Sequence, residues 1–521
     1  MLKIARLLIQ ERDFVEIQQL KLIKNPELTV PSFRGVLKPF QRIGVTAAFL
    51  HPRIILGDEA GLGKTIQSIA TLCLLYDHNK LPNKTTLVVC PNGMKEDWQR
   101  AIQKFSPFKA IIGYSEDRNC NFLNQNSNVV ITSFNTLLNR AEVLEKHGFQ
   151  NIIVDEASYV KNTESKTFQA LKRLTNKARR VLICNATSIE NSVVDAFAMG
   201  ELIEPGFFGT YQEFLNAYAE TEIKYFRTKY RTLKSNTVIV GPKSLESIQV
   251  LKQKISKFYL RRSYDEVEIE LPSEVVKNIP VALKECQKKE YLELIKKFKK
   301  REIKPASLLY KLLRVCDGKM EDWSKVDKPE KVSAKGEALI DLVNSFNKDQ
   351  FIVYSTYIDP LMAAAKIVKG MGLRIGFYTG VNTESREAHS DAFKDGKIDC
   401  LLITKAGARG KNWGNARHLV EINTVFNPSL QYQIRCRIKR LDSVHKTVFI
   451  YKLFAEDTIE ENVLALLERK GALSKYINDN DELDKLSEKQ IELLLSRKVS
   501  LINPESLDYT YETLAGELEK N

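Results

Sequence analysis

From Ile54 to Thr65 the chain reads IILGDEAGLGKT, an apolar run followed by a glycine-rich turn, a lysine and a threonine. A helical pattern begins directly afterwards, at Ile66. This succession of strand, glycine loop and helix is typical of a loop that cradles the phosphates of a nucleoside triphosphate, because glycine lets backbone N–H groups approach them. Lys64 is then placed to reach the β and γ phosphates, and Thr65 to bind Mg²⁺. The alternative is a plain glycine-rich turn entering a helix, since Asp58 stands where the usual phosphate loop has its first glycine.

Two adjacent carboxylates follow a second apolar run, in the stretch Ile152–Ala157, which reads IIVDEA. In open α/β sheets, ligands bind beyond the carboxyl ends of the strands. Phosphoryl transfer to water needs one carboxylate near the Mg²⁺ and a second group that orients or deprotonates the water. Asp155 suits the first role and Glu156 the second. Acidic residues after a strand are more often a solvated turn, but the phosphate loop upstream favours the functional interpretation.

The composition indicates a large chain with a polyanionic partner. Its 521 residues predict about three domains, and 43% of them are apolar, which is enough for several cores. The formal charge of +14 favours nucleic acid first and an anionic membrane surface second. No apolar run reaches the length of a membrane span, and residues 1–14 lack the core of a signal peptide. The eight cysteines include no CxxC pair, so we expect reduced cytosolic thiols without a zinc site or disulfide framework.

Short apolar runs alternate with helical stretches in two separate blocks. The runs of the first block are Ile54–Leu56, Leu87–Cys90, Val129–Thr132, Ile152–Val154 and Val181–Cys184. Those of the second block are Phe351–Tyr354, Arg374–Tyr378, Cys400–Ile403, His418–Glu421 and Val448–Lys452. This alternation predicts two α/β lobes, each a doubly wound parallel sheet. Residues 206–332 lack it, and their Lys, Glu and Leu at helical spacing predict a mostly helical insertion and linker, broken at Pro272, Pro280 and Pro305.

These patterns divide the chain into five predicted parts. They are an N-terminal segment 1–35, a first lobe 36–272 with an insertion at 206–258, a helical linker or protrusion 273–332, a second lobe 333–470 and a helical C-terminal segment 471–521.

The ordered set of short motifs resembles that of the Swi/Snf ATPases within helicase superfamily 2, over roughly residues 36–470. The matching segments are, in order, Leu37–Gln41, Gly57–Thr65, Leu87–Pro91 with Trp98, Ile131–Phe134, Asp155–Ser158, Asn185–Asn191, Tyr259–Arg262, Phe377–Phe393, Thr404–Asn412, Gln433–Arg440 and Asp457–Glu461. The resemblance implies two RecA-like doubly wound parallel-sheet lobes with helical insertions. It also implies a DNA-dependent ATPase or helicase that uses ATP and Mg²⁺.

The resemblance assigns roles to individual residues of the nucleotide site. The nucleotide-binding residues are Gln41, Gly61, Gly63, Lys64, Thr65 and Gly410, and the metal ligands are Thr65 and Asp155. The catalytic residues are Lys64, Asp155, Glu156, Arg437 and Arg440. The two arginines are three apart near a helical stretch, so we expect them to point the same way and to neutralise charge on the transferring phosphoryl group.

Contacts with nucleic acid are expected in two places. By resemblance they involve Pro91, Ser133, Phe134, Arg262, Ser355, Thr404 and Lys405. The insertion adds a basic stretch interleaved with aromatics, which contains Lys224, Tyr225, Phe226, Arg227 and Tyr230. Such a stretch can hold phosphates while aromatic rings stack on bases, or it can be an amphipathic element whose rings pack inward. Contacts to phosphate carry no sequence information, so we expect binding that ignores base sequence.

The chain departs from the family pattern at three places. Ser158 stands where the family has histidine, Asn185–Ser188 reads NATS where the family has TGTP, and Asp442–Ser443 replaces Gly-Gln. The resemblance implies that position 158 links the nucleotide state to segment Asn185–Ser188, and that all three changes lie beside the catalytic core. None removes a phosphate-binding group, so we expect ATPase activity to survive.

Three functions fit these observations. The first is a DNA translocase or helicase that remodels forked or branched DNA in replication, recombination or repair. The second is a duplex-DNA translocase that displaces bound proteins or polymerase, and the third is a catalytically weak DNA-binding scaffold. We expect a monomer that does not bind membranes, located in a bacterial or phage-infected cytoplasm, or in the nucleus if the source is eukaryotic.

Overall fold

A computed structural model describes residues 16–23, 26–81, 86–185, 193–227, 233–267, 271–318, 333–382, 384–408, 411–423, 428–440, 443–461 and 464. Several predictions concern residues outside these ranges. They are the C-terminal segment 471–521, the motif residues 186–191, Tyr230 and Gly410.

The described strands are numbered in chain order. They are β1 (Arg53–Leu56), β2 (Thr86–Cys90), β3 (Ala110–Gly113), β4 (Val129–Ser133), β5 (Asn151–Asp155), β6 (Arg180–Cys184), β7 (Ala219–Arg227), β8 (Leu233–Pro242), β9 (Tyr259–Leu260), β10 (Ser273–Val281), β11 (Phe351–Tyr354), β12 (Ile375–Tyr378), β13 (Cys400–Ile403), β14 (His418–Glu421) and β15 (Thr447–Ala455). Each of the ten predicted apolar runs is therefore a strand, extended at some ends by one to three residues, except that the run predicted from Arg374 begins one residue later, at Ile375.

The described helices are numbered in the same way. They are α1 (Ile17–Lys21), α2 (Pro39–Leu50), α3 (Lys64–Asp77), α4 (Lys95–Phe105), α5 (Phe134–Asn139), α6 (Ala141–His147), α7 (Lys166–Lys177), α8 (Val193–Ile203), α9 (Tyr211–Tyr218), α10 (Leu245–Ile255), α11 (Glu285–Lys299), α12 (Pro305–Asp317), α13 (Ala334–Asn344), α14 (Ile358–Gly370), α15 (Arg386–Lys394) and α16 (Pro428–Arg435). None of these described helices has the length and apolar character required to cross a membrane.

The chain divides into two units, each built on its own sheet. The first comprises residues 1–273 with segments 407–414 and 439–446, and the second comprises 274–406, 415–438 and 447–521. The first sheet has the order β3-β4-β2-β5-β6-β1-β9, and all its pairings are parallel. The second has the order β10-β15-β14-β11-β13-β12, with parallel pairing from β15 to β12. The fold is thus α/β with two parallel-sheet lobes, as the sequence predicts.

The first sheet is buried on both faces, which explains its continuous apolar strands. Alternate residues of β5 enter two different hydrophobic clusters: Ile152 and Val154 join one, and Ile153 joins the other. Helices that cover both faces of a parallel sheet require this pattern. Because these strands are parallel, the carboxyl ends of β1, β2 and β5 lie at the same edge of the sheet. The predicted motifs begin at this edge.

The prediction of a mostly helical region at 206–332 is wrong in part. The antiparallel hairpin of β7 and β8 lies within it, and so do β9 and β10. The hairpin strands carry alternating or consecutive β-branched and aromatic residues, among them Thr221, Ile223 and the run Thr237–Val240, which favour a pleated strand over a helix. Pro280 does not interrupt β10, because β10 is an edge strand. Pro305 occupies the first turn of α12, where proline is favoured.

A buried ionic cluster joins three segments of the second unit. The Lys335 Nζ atom donates to Asp317 Oδ1 at 2.9 Å, to Glu460 Oε1 at 2.7 Å and to the main-chain carbonyl of Ile422 at 2.9 Å. All three charged side chains are buried. Burial raises the pKa of Glu460 to about 7, against the attraction of Lys335. Burial acts to lower the pKa of Lys335, but Asp317 and Glu460 together raise it, so the ammonium is charged.

Candidate nucleotide-binding site

The predicted phosphate loop connects β1 to α3. Gly61 and Gly63 have φ angles of 97° and 81°, in the left-handed region that glycine adopts without steric penalty. Space is also limited: a Cβ atom on Gly61 would lie 2.3 Å from Tyr264 Oη, and one on Gly63 would lie 2.6 Å from Gln41 Nε2. Helix α3 begins at Lys64, so the N–H groups of its first turn lie beside the loop. The loop has the backbone conformation and the helix N-terminus that suit an anion.

Lys64 lies across this loop. Its Nζ atom donates to the main-chain carbonyl of Asp58 at 2.5 Å and to that of Glu59 at 3.1 Å. Thr65 follows it in the first turn of α3. Both side chains are half-buried, which leaves them at the surface of the loop where a phosphate and its cation would be held.

Asp155 ends β5 and is buried at the same edge of the sheet as the phosphate loop. Burial, and then the charge of the adjacent Glu156, raise its pKa to about 6. The Trp98 indole, which donates to Asp155 Oδ2 at 2.8 Å, and the charge of Lys64 act in the opposite direction. A buried carboxylate in this situation fits a nearby cation, because a divalent ion favours the charged form. Mg²⁺ is bound through one or two protein oxygens with phosphates and waters, so Thr65 and Asp155 suit it.

Glu156 leaves the sheet in an unusual conformation. Its φ of 58° is in the left-handed region, and its N–H donates to the carbonyl of Cys184 at 2.8 Å. Such a conformation costs about 1 kcal/mol for a residue with a Cβ atom and persists only where the surroundings impose it. Ser158 Oγ donates to Glu156 Oε1 at 3.2 Å. The serine that replaces the family's histidine therefore contacts the predicted catalytic carboxylate directly.

Gln41, the predicted adenine-recognising residue, is buried against the phosphate loop. Its Nε2 donates to the carbonyl of Leu62 at 3.2 Å, and its Oε1 accepts from the N–H of Lys38 at 3.0 Å. Its amide thus connects the start of α2 to the loop.

Arg262, a predicted nucleic-acid contact, is buried beside the phosphate loop. Its guanidinium is buried and bonds both carboxylate oxygens of Asp58, with Nε to Oδ1 at 2.9 Å. It also donates to Gln67 Oε1 at 2.9 Å and to the carbonyl of Phe40. A buried charge needs such complete pairing. Asp58, which departs from the usual glycine, is therefore the partner of Arg262.

Two further predicted nucleic-acid contacts, Ser355 and Ser133, are hydroxyl groups bonded within the fold. Ser355 is buried, and its Oγ bonds Asn423 Oδ1 at 2.5 Å and the carbonyl of Tyr357 at 2.7 Å. Ser133 is buried too, and its Oγ caps α5 by accepting from the N–H of Thr136 at 3.1 Å. Their contact with nucleic acid stays a prediction.

The remaining predicted contacts differ in exposure. Pro91 and Thr404 are buried, whereas Lys405 is exposed. Phe134 is also buried and stacks on Tyr159 with ring centroids 5.3 Å apart. The ring of Tyr159 is 49% exposed, so it is the accessible member of that pair.

The basic and aromatic stretch of the insertion belongs to the β7–β8 hairpin. The register pairs Lys224 with Asn236, Tyr225 with Ser235, Phe226 with Lys234 and Arg227 with Leu233. These four residues therefore belong to the antiparallel part of the hairpin, close to its turn.

The two predicted catalytic arginines do not share a helix face, because α16 ends at Arg435. Arg437 is buried in the second unit, and its Nε donates to the carbonyl of Gln433 at 2.8 Å. Arg440 belongs to a segment of the first unit, where its Nη2 donates to the carbonyl of Lys411 at 2.9 Å. A Cβ atom on Gly61 would lie 3.5 Å from Arg440 Nη1. Arg440 therefore lies beside the phosphate loop, whereas the contact described for Arg437 is with the carbonyl of Gln433.

The hydrogen bonds of two residues of the site are not predicted from the sequence. Trp98 is noted only as part of a motif, although its indole bonds Asp155. Tyr264 received no role, yet its hydroxyl donates to the carbonyl of Ala60 and its N–H donates to Glu59 Oε2 at 3.0 Å. The sequence feature that could have indicated a role for Tyr264 is its position two residues after the arginine pair. No neighbouring residue indicates which groups it bonds.

Comparison with known proteins agrees with this arrangement. The SNF2-related domain matches residues 49–322, and the helicase conserved C-terminal domain matches residues 334–442. An uncharacterized ATP-dependent helicase of Mycoplasma pneumoniae is 27% identical over 435 residues, which cover 80% of this chain and 39% of that protein. The DNA repair and recombination protein RAD54-like of Danio rerio is 25% identical over 515 residues, covering 87% of this chain and 68% of that protein.

Among solved structures, the Sulfolobus solfataricus SWI2/SNF2 ATPase core in complex with dsDNA is similar to this chain, with 23% identity and a TM-score of 0.43. That match covers 91% of this chain and 99% of the other. The chain spans only about 40% of the length of the Mycoplasma relative. The first family match alone covers more than half of the chain. The chain thus belongs to the SNF2-related family, as a Swi/Snf-type ATPase of helicase superfamily 2.

Proposed function

We propose that this chain is an ATP-driven motor that translocates on DNA and remodels forked or branched DNA. The observation that carries the proposal is the meeting of the phosphate loop, Lys64 and the buried Asp155 at one edge of a sheet. With Glu156 next to Asp155, this edge holds the groups that phosphoryl transfer to water requires. Their presence together argues against the catalytically weak scaffold.

The net positive charge of the chain supports DNA as the polymer along which the motor moves. The chain carries 79 lysines and arginines against 65 acidic residues, and Lys405 is exposed. Contacts between such side chains and phosphates are independent of base sequence and weaken with salt. The name of the Danio rerio relative, a DNA repair and recombination protein, supports a role in repair or recombination.

The β7–β8 hairpin is the proposed remodelling element. It is a ribbon of two strands of nine and ten residues inserted into the first lobe. Its first strand carries two cations and two aromatic residues in succession, Lys224, Tyr225, Phe226 and Arg227. Cations can hold a nucleic-acid backbone while an aromatic ring opposes the re-stacking of bases.

The test compares ATP hydrolysis with single-stranded, duplex, forked and four-way DNA, together with strand displacement on the same substrates. We expect the largest stimulation and visible remodelling with forked or four-way DNA. Stimulation by plain duplex with displacement of a bound protein, and no remodelling of branches, would favour the duplex translocase instead. Absence of ATP turnover with every DNA would favour the scaffold.

A second experiment addresses the hairpin. Replacing Tyr225, Phe226 and Tyr230 with alanine should preserve DNA-stimulated ATP hydrolysis while abolishing strand separation or branch movement. Tyr76→Ala is the matched control, because that ring is 54% exposed on α3 of the same unit. Unchanged remodelling by a folded triple variant would refute the role of the hairpin, and an aggregated variant would show that the rings are packed in the fold.

A further inference from the structure

Trp98 connects a helix to the predicted metal carboxylate. It lies on α4, which begins shortly after β2 ends, and its side chain is buried. Strands β2 and β5 are parallel neighbours, with Val89 beside Val154. The start of α4 is therefore next to the end of β5, and the Trp98 indole Nε1 donates to Asp155 Oδ2 at 2.8 Å.

The donor and the acceptor of this hydrogen bond cannot exchange roles. An ionised carboxylate only accepts hydrogen bonds, and an indole N–H only donates. The indole itself cannot turn, because Trp98 packs in the hydrophobic cluster that contains Ile102, Cys90 and Ile131. A rigid donor on Oδ2 therefore fixes the plane of the Asp155 carboxylate, and with it the direction of the other oxygen.

We propose that Trp98 is a positioning residue that orients Asp155 for the magnesium ion of the bound nucleotide. The inference rests on the proposed ATPase function, since it takes Asp155 as the carboxylate that faces the cation. Groups that hydrogen-bond a metal-binding carboxylate fix its orientation, and their loss lowers metal affinity or activity by about tenfold or more. Trp98 touches neither nucleotide nor metal in this scheme and acts only through Asp155.

Removing the donor while keeping the shape of the ring is the direct test. Replacing Trp98 with β-(3-benzothienyl)alanine puts a sulfur in place of the indole N–H, and Trp98→Phe removes the same donor with natural amino acids. Ile102→Val is the matched control, because Ile102 is buried on the same helix and in the same cluster, and an aliphatic side chain has no hydrogen-bond donor for a carboxylate.

Two readouts separate positioning from a general structural effect. The first is the Mg²⁺ concentration for half-maximal ATP hydrolysis, which should rise about tenfold in both Trp98 variants and remain unchanged in the control. The second is the affinity for ADP measured with Mg²⁺ and with EDTA. The gain in affinity from Mg²⁺ should shrink by a similar factor, whereas the affinity in EDTA should equal that of the unmodified chain.

Equal Mg²⁺ dependence in the benzothienyl variant and the unmodified chain would overturn the proposal. Equal loss of ADP affinity in Mg²⁺ and EDTA would also overturn it, because it would show a packing role. Since the ADP measurement needs no hydrolysis, it distinguishes failure of this inference from failure of the proposed ATPase function, which would appear as an unmodified chain that turns over no ATP.

Discussion

Replacing Lys335 with methionine should destabilise the second unit strongly, and more so at higher pH. The change keeps most of the side-chain volume but removes three hydrogen bonds of 2.7 to 2.9 Å and the charge that faces Asp317 and Glu460. Breaking one side of a buried ion pair costs about 3–5 kcal/mol. We therefore expect a loss of about 4 kcal/mol at pH 8.

The pH dependence follows from the pKa of Glu460, which is raised from 4.5 to about 7. A raised carboxyl pKa means that the folded chain holds the proton more tightly than the unfolded chain, so stability falls as the pH rises from about 4.5 to about 7. Without Lys335 the pKa of Glu460 rises further, so the stability of the variant continues to fall above pH 7. The variant should therefore be less impaired at pH 6 than at pH 8, by up to about 1.4 kcal/mol, because pH 8 lies one unit above the pKa of Glu460 in the unmodified chain.

The assay is hydrogen–deuterium exchange of peptides that cover β11 and β14, because a two-unit chain has no single unfolding free energy. At pH 8 these amides should exchange roughly a thousandfold faster than in the unmodified chain, with β2 and β5 as unaffected internal references. Lys397→Met is the control, since that side chain is 72% exposed. Protection in the Lys335 variant equal to that in the control would refute the reasoning, and a loss that does not grow with pH would refute the protonation argument.

Three further predictions concern the first unit and the track. Glu156→Gln should retain ATP binding but lose turnover by about a hundredfold or more, because a general base of this kind contributes about that factor; near-normal turnover would reject Glu156 as the base. Arg262→Met should lower the melting temperature by leaving Asp58 buried without its cationic partner, a loss of about 3–5 kcal/mol, and a stable variant with weakened DNA binding alone would instead support Arg262 as a DNA contact. Lys405→Ala should reduce the slope of log DNA affinity against log salt by about one unit, and an unaltered slope would remove Lys405 from the DNA contacts.

The sequence predicts those features that depend on short, continuous patterns. Strands buried on both faces are uninterrupted apolar runs, so Phe351–Tyr354 and Cys400–Ile403 were predicted with their observed bounds. Lys64 and Asp155 were predicted to share a sheet edge because both follow such runs. The hairpin was missed because its lysines and glutamates suggested a helix, whereas pairing between strands decides the conformation.

The contacts that the sequence does not predict at the site involve partners that are distant in sequence. The motif around Arg262 predicts a nucleic-acid contact and gives no sign of its partner Asp58, which is 204 residues away. The same holds for Ser355, which bonds Asn423, 68 residues away. A local pattern shows that a residue is polar or charged, and only the tertiary fold decides whether it meets a ligand or another buried group.

The bond between Asp58 and Arg262 also has a consequence for biosynthesis. The phosphate loop is translated early, but the strand β9 that pairs with β1, and the arginine that closes its buried carboxylate, are among the last parts of the first lobe to be made. A nascent chain that ends before Arg262 carries every phosphate-binding residue of the loop and leaves the Asp58 carboxylate without its cationic partner. Shortened versions of this lobe should accordingly extend past Tyr264, which bonds the carbonyl of Ala60, and the lobe should acquire nucleotide binding only near the end of its own synthesis.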